Sequence, residues 1–472
     1  MNTRYTGPRT RTRRVFLATA PWSYASLAGR GPSELRSGVR RDVSGQGILP
    51  TLGMHYLAAA LERSGHEVQV VDGYGYSRHA MLDAIARFAP DVVGLSTQTP
   101  LWPEAIEVIR AVKKRQPGVR IAVGGSHVNL RQAQIFEEAP EADAIFVGPA
   151  EASFLEWVED PSDEPNQVIT EARRKGELRH EPGFASHVAG RVPWGNYIPN
   201  LMFLGHKRFA TSVSTMGCAS GCSFCALTKD FKGRRTRPAE SVLEELEFLS
   251  RERGIRTVNF MDDNTLFAAR GKQADELLEK MAAARLPVEF TMYLNDFQIS
   301  EERLRLMKAA GLKRVLLLAE SGSQRIADLA HGRHVAIDDI ARTIERVHAA
   351  GIEACARFQI GFPGETPEDA QQSVDFAMRM PLLLASFVRT LILPGSKIAT
   401  KAVAAGRAPR EDERWSYYGR PVPPDRMSRD EQVAIVKRAV RTFYTRQILN
   451  GRLFEYPRLH HVARRVLVDG TE

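Results

Sequence analysis

The sequence has no apolar run near the roughly 18 residues that a membrane-spanning helix needs; its most apolar stretch, residues 381–388, is far too short. It has only four cysteines in 472 residues, too few for a disulfide framework in so long a chain. It has no internal repeat and no low-complexity tract, which removes solenoid and fibrous classes. Nor does it have a general excess of one charge. Lys and Arg total 65 against 56 Asp and Glu, a net +9, and residues 1–41 hold nine Arg against the single acid Glu34. The other 431 residues are nearly neutral. The basic start lacks the apolar core of a secretory signal, so the expectation is a soluble, cytoplasmic protein with no membrane partner. Nothing downstream interleaves aromatic and basic residues as a nucleic-acid surface would, so nucleic acid is not the expected partner and residues 1–13 read as a basic tail. What remains is ordinary globular composition, 43% hydrophobic and 26% charged, with length for about three domains of roughly 150 residues.

Two long regions alternate strand and helix signals. In residues 14–157 the apolar runs 15–20, 67–72, 91–96, 120–125 and 144–148 are β-branched and nearly continuous. Runs of that kind belong to parallel strands buried on both faces. Between them, segments 52–63 and 103–114 carry apolar residues at helical spacing. The fold class is α/β, and this part reads as a doubly wound domain whose ligand sits at the carboxyl ends of the strands. Those ends carry Ala20-Pro21-Trp22, Thr97-Gln98-Thr99, Gly124-Gly125-Ser126-His127 and Gly148-Pro149. Residues 158–207, with Asp160-Pro161-Ser162-Asp163-Glu164-Pro165 at their start, read as a linker. Residues 208–395 again alternate, with strands expected at 209–215, 257–261, 288–293, 314–318, 353–360 and 387–393. Six units make a partial TIM-like barrel, short of the closed eight. Residues 396–472 read as a helical cap, with a helix over 429–446.

Three of the cysteines fall in Cys218-Ala-Ser-Gly-Cys222-Ser-Phe-Cys225, just after the first strand of the second region. That is where parallel α/β barrels gather their chemistry. Three thiolates suit an iron–sulfur cluster and leave one iron of a cubane open. A structural zinc would need a fourth protein ligand, Cys355 or a histidine, of which only His206 lies nearby in the sequence.

The spacing C-x3-C-x2-C, with an aromatic residue before the third cysteine, resembles the signature of the radical S-adenosylmethionine (SAM) superfamily. The resemblance extends to Met261-Asp262-Asp263-Asn264, Ala319-Glu320-Ser321-Gly322, the loop Ile360 through Thr366, and Leu393-Pro394-Gly395-Ser396. The first region is similar to the cobalamin-binding domain of one subclass, through Leu52-Gly53, Gly65-His66-Glu67-Val68, Pro90-Asp91-Val92-Val93-Gly94 and Val123-Gly124-Gly125-Ser126-His127. The resemblance implies a [4Fe-4S] cluster on Cys218, Cys222 and Cys225, and SAM held by Phe224, Asp262 or Asp263, Glu320, Ser321 and Gly361. It implies a 5′-deoxyadenosyl radical that abstracts hydrogen from an unactivated carbon, and a reducing partner such as flavodoxin or ferredoxin. Cobalamin is the expected third cofactor. None of the 12 histidines has Asp two positions before it, so the older cobalt-ligand motif is missing; members of this subclass commonly lack it too.

Alternation along 353–360 puts Cys355, Arg357 and Gln359 on one strand face. An unpartnered Arg357 packed under helices would be costly, so this face is expected in the barrel lumen, with Tyr293, Asn295 and Asp296, at the end of the third strand of the region, also lining the pocket. Arg357 and Cys355 are the candidate catalytic residues. Cys355 is either a hydrogen donor to a product radical or a small buried apolar residue. A lumen of this kind fits a polar small-molecule substrate such as a sugar, an aminocyclitol or a phosphonate. The expected reaction is cobalamin-dependent C-methylation; a cobalamin-independent radical dehydratase, epimerase or oxidative cyclase in natural-product biosynthesis is the alternative.

Overall fold

A computed structural model of the chain describes residues 11–22, 49–160, 164–170, 208–218, 220–226, 235–263, 272–393, 395–407, 420–421 and 425–451. The chain divides into two compact units, one holding residues 50–192 with the N-terminal strand, the other most of residues 193–472. Most of the basic tail and of the linker lies outside the described residues.

The first unit is a six-stranded parallel sheet. Its elements are β1 (Arg14–Thr19), α1 (Leu52–Arg63), β2 (Glu67–Val71), α2 (Arg78–Phe88), β3 (Val92–Ser96), α3 (Trp102–Arg115), β4 (Arg120–Gly124), α4 (Ser126–Arg131), β5 (Ala144–Val147), α5 (Glu151–Glu159) and β6 (Gln167–Thr170). The strand order is β2-β1-β3-β4-β5-β6, so the chain reverses direction between β2 and β3 and winds to both sides. Alternate residues of each strand feed two separate cores. Phe16, Val93, Leu95, Ile121 and Val123 pack with Ile109 and Val112 of α3. Val15, Leu17, Val92, Ala122 and Phe146 pack with Met54 and Leu61 of α1 and Phe154 and Trp157 of α5. The expected strands are all present. One correction concerns residues 167–170, which belong to the sheet as β6 rather than to the linker. This edge strand is half-exposed, so it carries no continuous apolar signal.

The second unit contains β7 (Phe209–Ser212), α6 (Ala239–Arg251), β8 (Thr257–Phe260), α7 (Lys272–Ala284), β9 (Glu289–Leu294), α8 (Glu301–Ala309), β10 (Leu312–Glu320), α9 (Gln324–His331), α10 (Ile337–Ala349), β11 (Glu353–Ile360), α11 (Pro367–Arg379), β12 (Leu384–Arg389), α12 (Lys397–Ala404) and α13 (Arg429–Leu449). Its six long strands are parallel and sequential, β12-β11-β10-β9-β8-β7, which is the expected partial barrel. The last strand runs over Leu384–Arg389, earlier in the chain than the expected 387–393. Helix α10 shows why the pattern works: Ile340, Ile344 and Val347 are buried on one face, acids occupy its first turn and Arg346 and His348 its last, as the helix dipole favours. Helices α11 and α13 both begin with capping boxes, Thr366 with Asp369 and Ser428 with Glu431. Helix α13 covers β12. Tyr444 donates its hydroxyl to Ala385 O at 3.2 Å, and Gln447 donates to Leu382 O at 2.6 Å. A sheet edge left bare would be a template for wrong pairing.

Register fixes what lines the lumen, because partners on adjacent parallel strands point to the same side. Asn259 stands beside Thr211 and Thr291. Leu316 stands beside Tyr293 and Cys355, and Arg357 beside Ser386. The opposite side of β11 is apolar: Phe358 contacts Phe387 and Phe376 at 5.3 and 6.1 Å between ring centroids.

Candidate active site

The cysteine segment follows β7 at the carboxyl end of the barrel strands. Cys218, Cys222 and Cys225 are each half-buried. Five contacts from different elements brace the segment. Gly217 N donates to Asp263 Oδ2 at 2.9 Å, and Asn295 Nδ2 donates to Ser220 Oγ at 2.8 Å. Ser223 N donates to Ala330 O in α9 at 2.9 Å. From α12, Ile398 N donates to Ser223 O at 3.0 Å and Lys397 Nζ to Gly221 O at 2.8 Å. The fit is tightest at Gly332, which ends α9 with φ 64°. A Cβ there would lie 2.7 Å from Gly221 O.

Among the described residues no three His, Cys, Asp or Glu side chains converge to hold one metal ion. A cubane asks for something else, namely thiolates spread over separate irons. The three sulfurs do share one electrostatic neighbourhood. Burial first, then the Glu320 carboxylate and the sulfurs of Cys225 and Cys218, push the Cys222 thiol up to about 12. Crowded thiols that resist ionisation without a cation are suited to a metal, whose charge inverts that preference. Cys355 is elsewhere. It faces the lumen as its strand parity requires, but it is 1% exposed and its charged neighbours are Arg314 and Glu353 near the opposite end of the strands. Burial pushes its thiol up to about 12. The structure therefore does not bring Cys355 to the other three cysteines, and it makes no fourth zinc ligand there; His206 lies outside the described residues.

Glu320 and Arg357 form the polar centre. Glu320 ends β10 with φ 62°, where the pairing with β11 shifts register. A left-handed glutamate is strained, and the turn swings its carboxylate to the lumen. There it accepts from Arg357 at 2.6 Å and from Gln359 Nε2 at 2.8 Å. Burial opposes the Arg357 charge, but the Glu320 carboxylate more than offsets it, so the guanidinium is held above its usual value. Its Nε is buried and has no hydrogen-bond partner. Arg357 lies 6.0 Å from the centroid of the Phe224 ring, which meets Phe362 edge-on at 5.9 Å. Tyr293 completes the wall, its phenol raised by burial.

Other expected contacts are redirected. Asp262 is 5% exposed, and its carboxylate accepts from Ser214 N, Ser214 Oγ and Thr215 N. It ties β8 to the strand that leads into the cysteines. Asp263 has one oxygen engaged by Gly217 and is exposed, so of the two acids it is the one open to a ligand. The Ser321 hydroxyl is spent on the fold: it pairs with Ser373 Oγ at 3.1 Å and accepts from Ser323 N at 3.1 Å. Gly361 turns toward α13, where a Cβ would lie 2.8 Å from the Gln432 side chain. Asp296 accepts from Gln298 N in its own turn. Lys397 and Arg333, whose NH2 donates to Asn295 O at 3.2 Å, escaped the sequence reading. The one available signal was that Lys397 directly follows the quoted Leu393–Ser396 turn.

In the first unit the carboxyl ends of the strands carry small residues and a histidine. A Cβ on Gly148 would meet nothing within 4 Å. His127 is 5% exposed, with Nδ1 3.2 Å from Thr99 Oγ1 and its ring 5.1 Å from Trp102. Its Nε2 is buried and unpartnered, and burial lowers its pKa to about 3. An open backbone beside an orphaned polar atom fits a bound group at this end of the sheet.

The chain matches the radical SAM superfamily over residues 212–377 and the B12 binding domain over residues 42–158. It is 27% identical over 439 residues to an uncharacterized methyltransferase of Pyrococcus horikoshii, covering 89% of this chain and 93% of that one. It is 26% identical over 421 residues to cytidylyl-2-hydroxyethylphosphonate methyltransferase of Streptomyces wedmorensis, covering 75% and 78%. The fold is that of the radical SAM methyltransferase TsrM of Kitasatospora setae, solved with cobalamin and a [4Fe-4S] cluster, at a TM-score of 0.65 and 19% identity over 89% of this chain and 80% of that one. Among the described residues no helix is long and apolar enough to cross a membrane. The two domains carry their cofactors with them: a [4Fe-4S] cluster and SAM for the radical SAM domain, and cobalamin for the B12 binding domain. The chain carries a radical SAM domain preceded by a B12-binding domain, and its relatives include methyltransferases.

Proposed function

We propose that this enzyme methylates an unactivated carbon of a polar small molecule. When bound, the cluster and SAM supply the hydrogen-abstracting radical and cobalamin carries the methyl group. The protein's share is positioning and exclusion of water. Cys218, Cys222 and Cys225 hold the cluster on a segment braced from several elements. The free oxygen of Asp263 accepts from the SAM ammonium group. Glu320 keeps lone pairs beyond those used by Arg357 and Gln359, and these accept from ribose hydroxyls. Phe224, wedged between Phe362 and Arg357, walls the adenosyl side. Arg357 keeps 32% of its side-chain surface accessible and meets an anionic or hydroxylated substrate with that surface. Asp262, Ser321 and Gly361 maintain the geometry without touching a ligand through their side chains.

One observation carries this reading: three half-buried cysteines stand at the mouth of a lumen whose centre is a paired Glu320 and Arg357. The phosphonate methyltransferase among the relatives supports an ionic substrate. The test is anaerobic reconstitution with iron, sulfide and cobalamin, followed by product mass with methyl-deuterated SAM on a panel of sugars, aminocyclitols and phosphonates. A deuterated methyl group in the product is expected. A product lighter by one water, formed without cobalamin, would replace methylation with dehydration.

A further inference from the structure

We propose that Lys397, Lys401 and Arg333 form the docking surface for an acidic one-electron carrier protein. This rests on the reading that Cys218, Cys222 and Cys225 hold the cluster. All three cations are exposed. They are also adjacent. Lys397 Nζ lies 3.5 Å from where a Cβ on Gly332 would stand, and Arg333 is the next residue. Lys401 follows Lys397 by four positions on α12, which places both on one helix face. Among the described residues the partners of Lys397 and Arg333 are backbone carbonyls, as they are for Lys308 and Arg256; what sets the two apart is their place beside the cysteine segment. Arg14, Arg78 and Lys280 all meet carboxylates, whereas Lys397 and Arg333 donate to the backbone carbonyls of Gly221 and Asn295. Among the described residues no carboxylate pairs with either of them, and both side chains are exposed.

The patch adjoins the cluster segment. Lys397 rests on the carbonyl of Gly221, and the next residue is Cys222. Gly332 brings α9 against that same carbonyl. A single peptide unit thus separates the charged surface from a cluster ligand, so a carrier seated there needs no other route. Docked, it loses one electron and the cluster gains one; no bond is made and no proton moves. Charge complementarity of this kind governs encounter rate and its salt dependence more than affinity.

The test uses the full reconstituted chain and stopped-flow reduction under anaerobic conditions. Photoreduced flavodoxin is one reductant and the methyl viologen radical cation the other. Lys397 stays intact because it braces the segment; the variants are Lys401→Glu and the double variant Lys401→Glu/Arg333→Glu. At low salt, reduction of the wild-type cluster by flavodoxin should be fast and should slow as ionic strength rises. The double variant should be about 10-fold slower at low salt and nearly insensitive to salt. Lys401→Glu alone, which touches nothing in the segment, should show a smaller loss in the same direction. For Lys401→Glu, reduction by methyl viologen and the iron and sulfide content should match wild type. Equal rates with flavodoxin at every salt concentration would overturn the proposal, as would equal slowing with both reductants. If the variants instead lose affinity for bulk tRNA while flavodoxin reduction is unchanged, the surface serves a nucleic acid. Wild-type protein that takes up no iron or sulfide would defeat the cluster assignment itself, a separate result.

Discussion

Both units of this chain are six-stranded parallel sheets, yet they use their faces in opposite ways. In the first, both faces are apolar and each feeds its own core. In the second, one face packs under helices while the other lines a lumen with Thr211, Asn259, Thr291, Tyr293, Arg357 and Gln359. The first sheet leaves only its strand ends for a ligand. The second gives up half of its strand side chains to chemistry and recovers rigidity through polar pairing. Thr291 donates to Asn259 Oδ1 at 2.9 Å, and Glu320 gathers Arg357 and Gln359.

The contrast can be broken at the cysteines, where the largest effect is expected. Cys222→Ala should abolish cluster absorbance and 5′-deoxyadenosine release while thermal unfolding and cobalamin binding stay near wild type, because a half-buried loop residue contributes little to either core. A collapse of the fold in that variant would show that the lumen unit depends on its segment for stability. In the first unit, Ile121→Ala removes a fully buried side chain from a sheet face and should cost about 2–5 kcal/mol, read by denaturant unfolding, with iron content unchanged.

Third in size is Arg357→Leu. It strands a carboxylate that is 1% exposed and should cost about 3 kcal/mol, the lower end for a broken buried pair, while weakening SAM or substrate binding by calorimetry. Glu320→Gln in that background should return part of the stability but none of the binding. Unchanged stability and binding in Arg357→Leu would remove the residue from the lumen.

The smallest effect separates the units by pH. His127 has its pKa lowered to about 3, so the folded first unit binds fewer protons than the unfolded chain below the ordinary value of 6.5. Its contribution to stability falls as pH drops from about 6.5 toward 3. Glu365 accepts from Gly361 N and Phe362 N through one oxygen and, chiefly by burial, titrates at about 7 instead of 4.5. Glu365 therefore binds more proton in the folded chain between about 4.5 and 7, and its contribution to stability falls as pH rises through that window. Unfolding followed by hydrogen exchange should show Glu365→Gln and His127→Gln changing the pH slope of their own units in opposite directions; changes of the same sign would defeat the assignment.

The strands were legible wherever one rule of side-chain placement ran unbroken. Alternation of Cys355, Arg357 and Gln359 against Ala354, Ala356 and Phe358 located β11 to the residue and pointed Arg357 inward. Residues 167–170 gave no such signal, since an edge strand half in water need not be apolar. The cysteines were legible because their spacing is local. What holds them was not: Asn295, Ala330 and Lys397 reach the segment from 75 to 176 positions away. Asp262 and Ser321 were assigned to a ligand because their motif sits at a strand end. Motif position does not say whether a polar atom is already spent, and both are consumed by neighbours that only the folded chain supplies.

The contact between Gly332 and Gly221 constrains how this sequence can drift. Position 332 must adopt a left-handed turn and must also present bare backbone to a carbonyl 111 residues upstream. Any other amino acid would meet both objections at once and would displace the cysteine segment. Variation at 332 is thus policed by distant geometry, and a glycine that looks like punctuation between two helices acts as the spacer against which the cysteine segment is gauged.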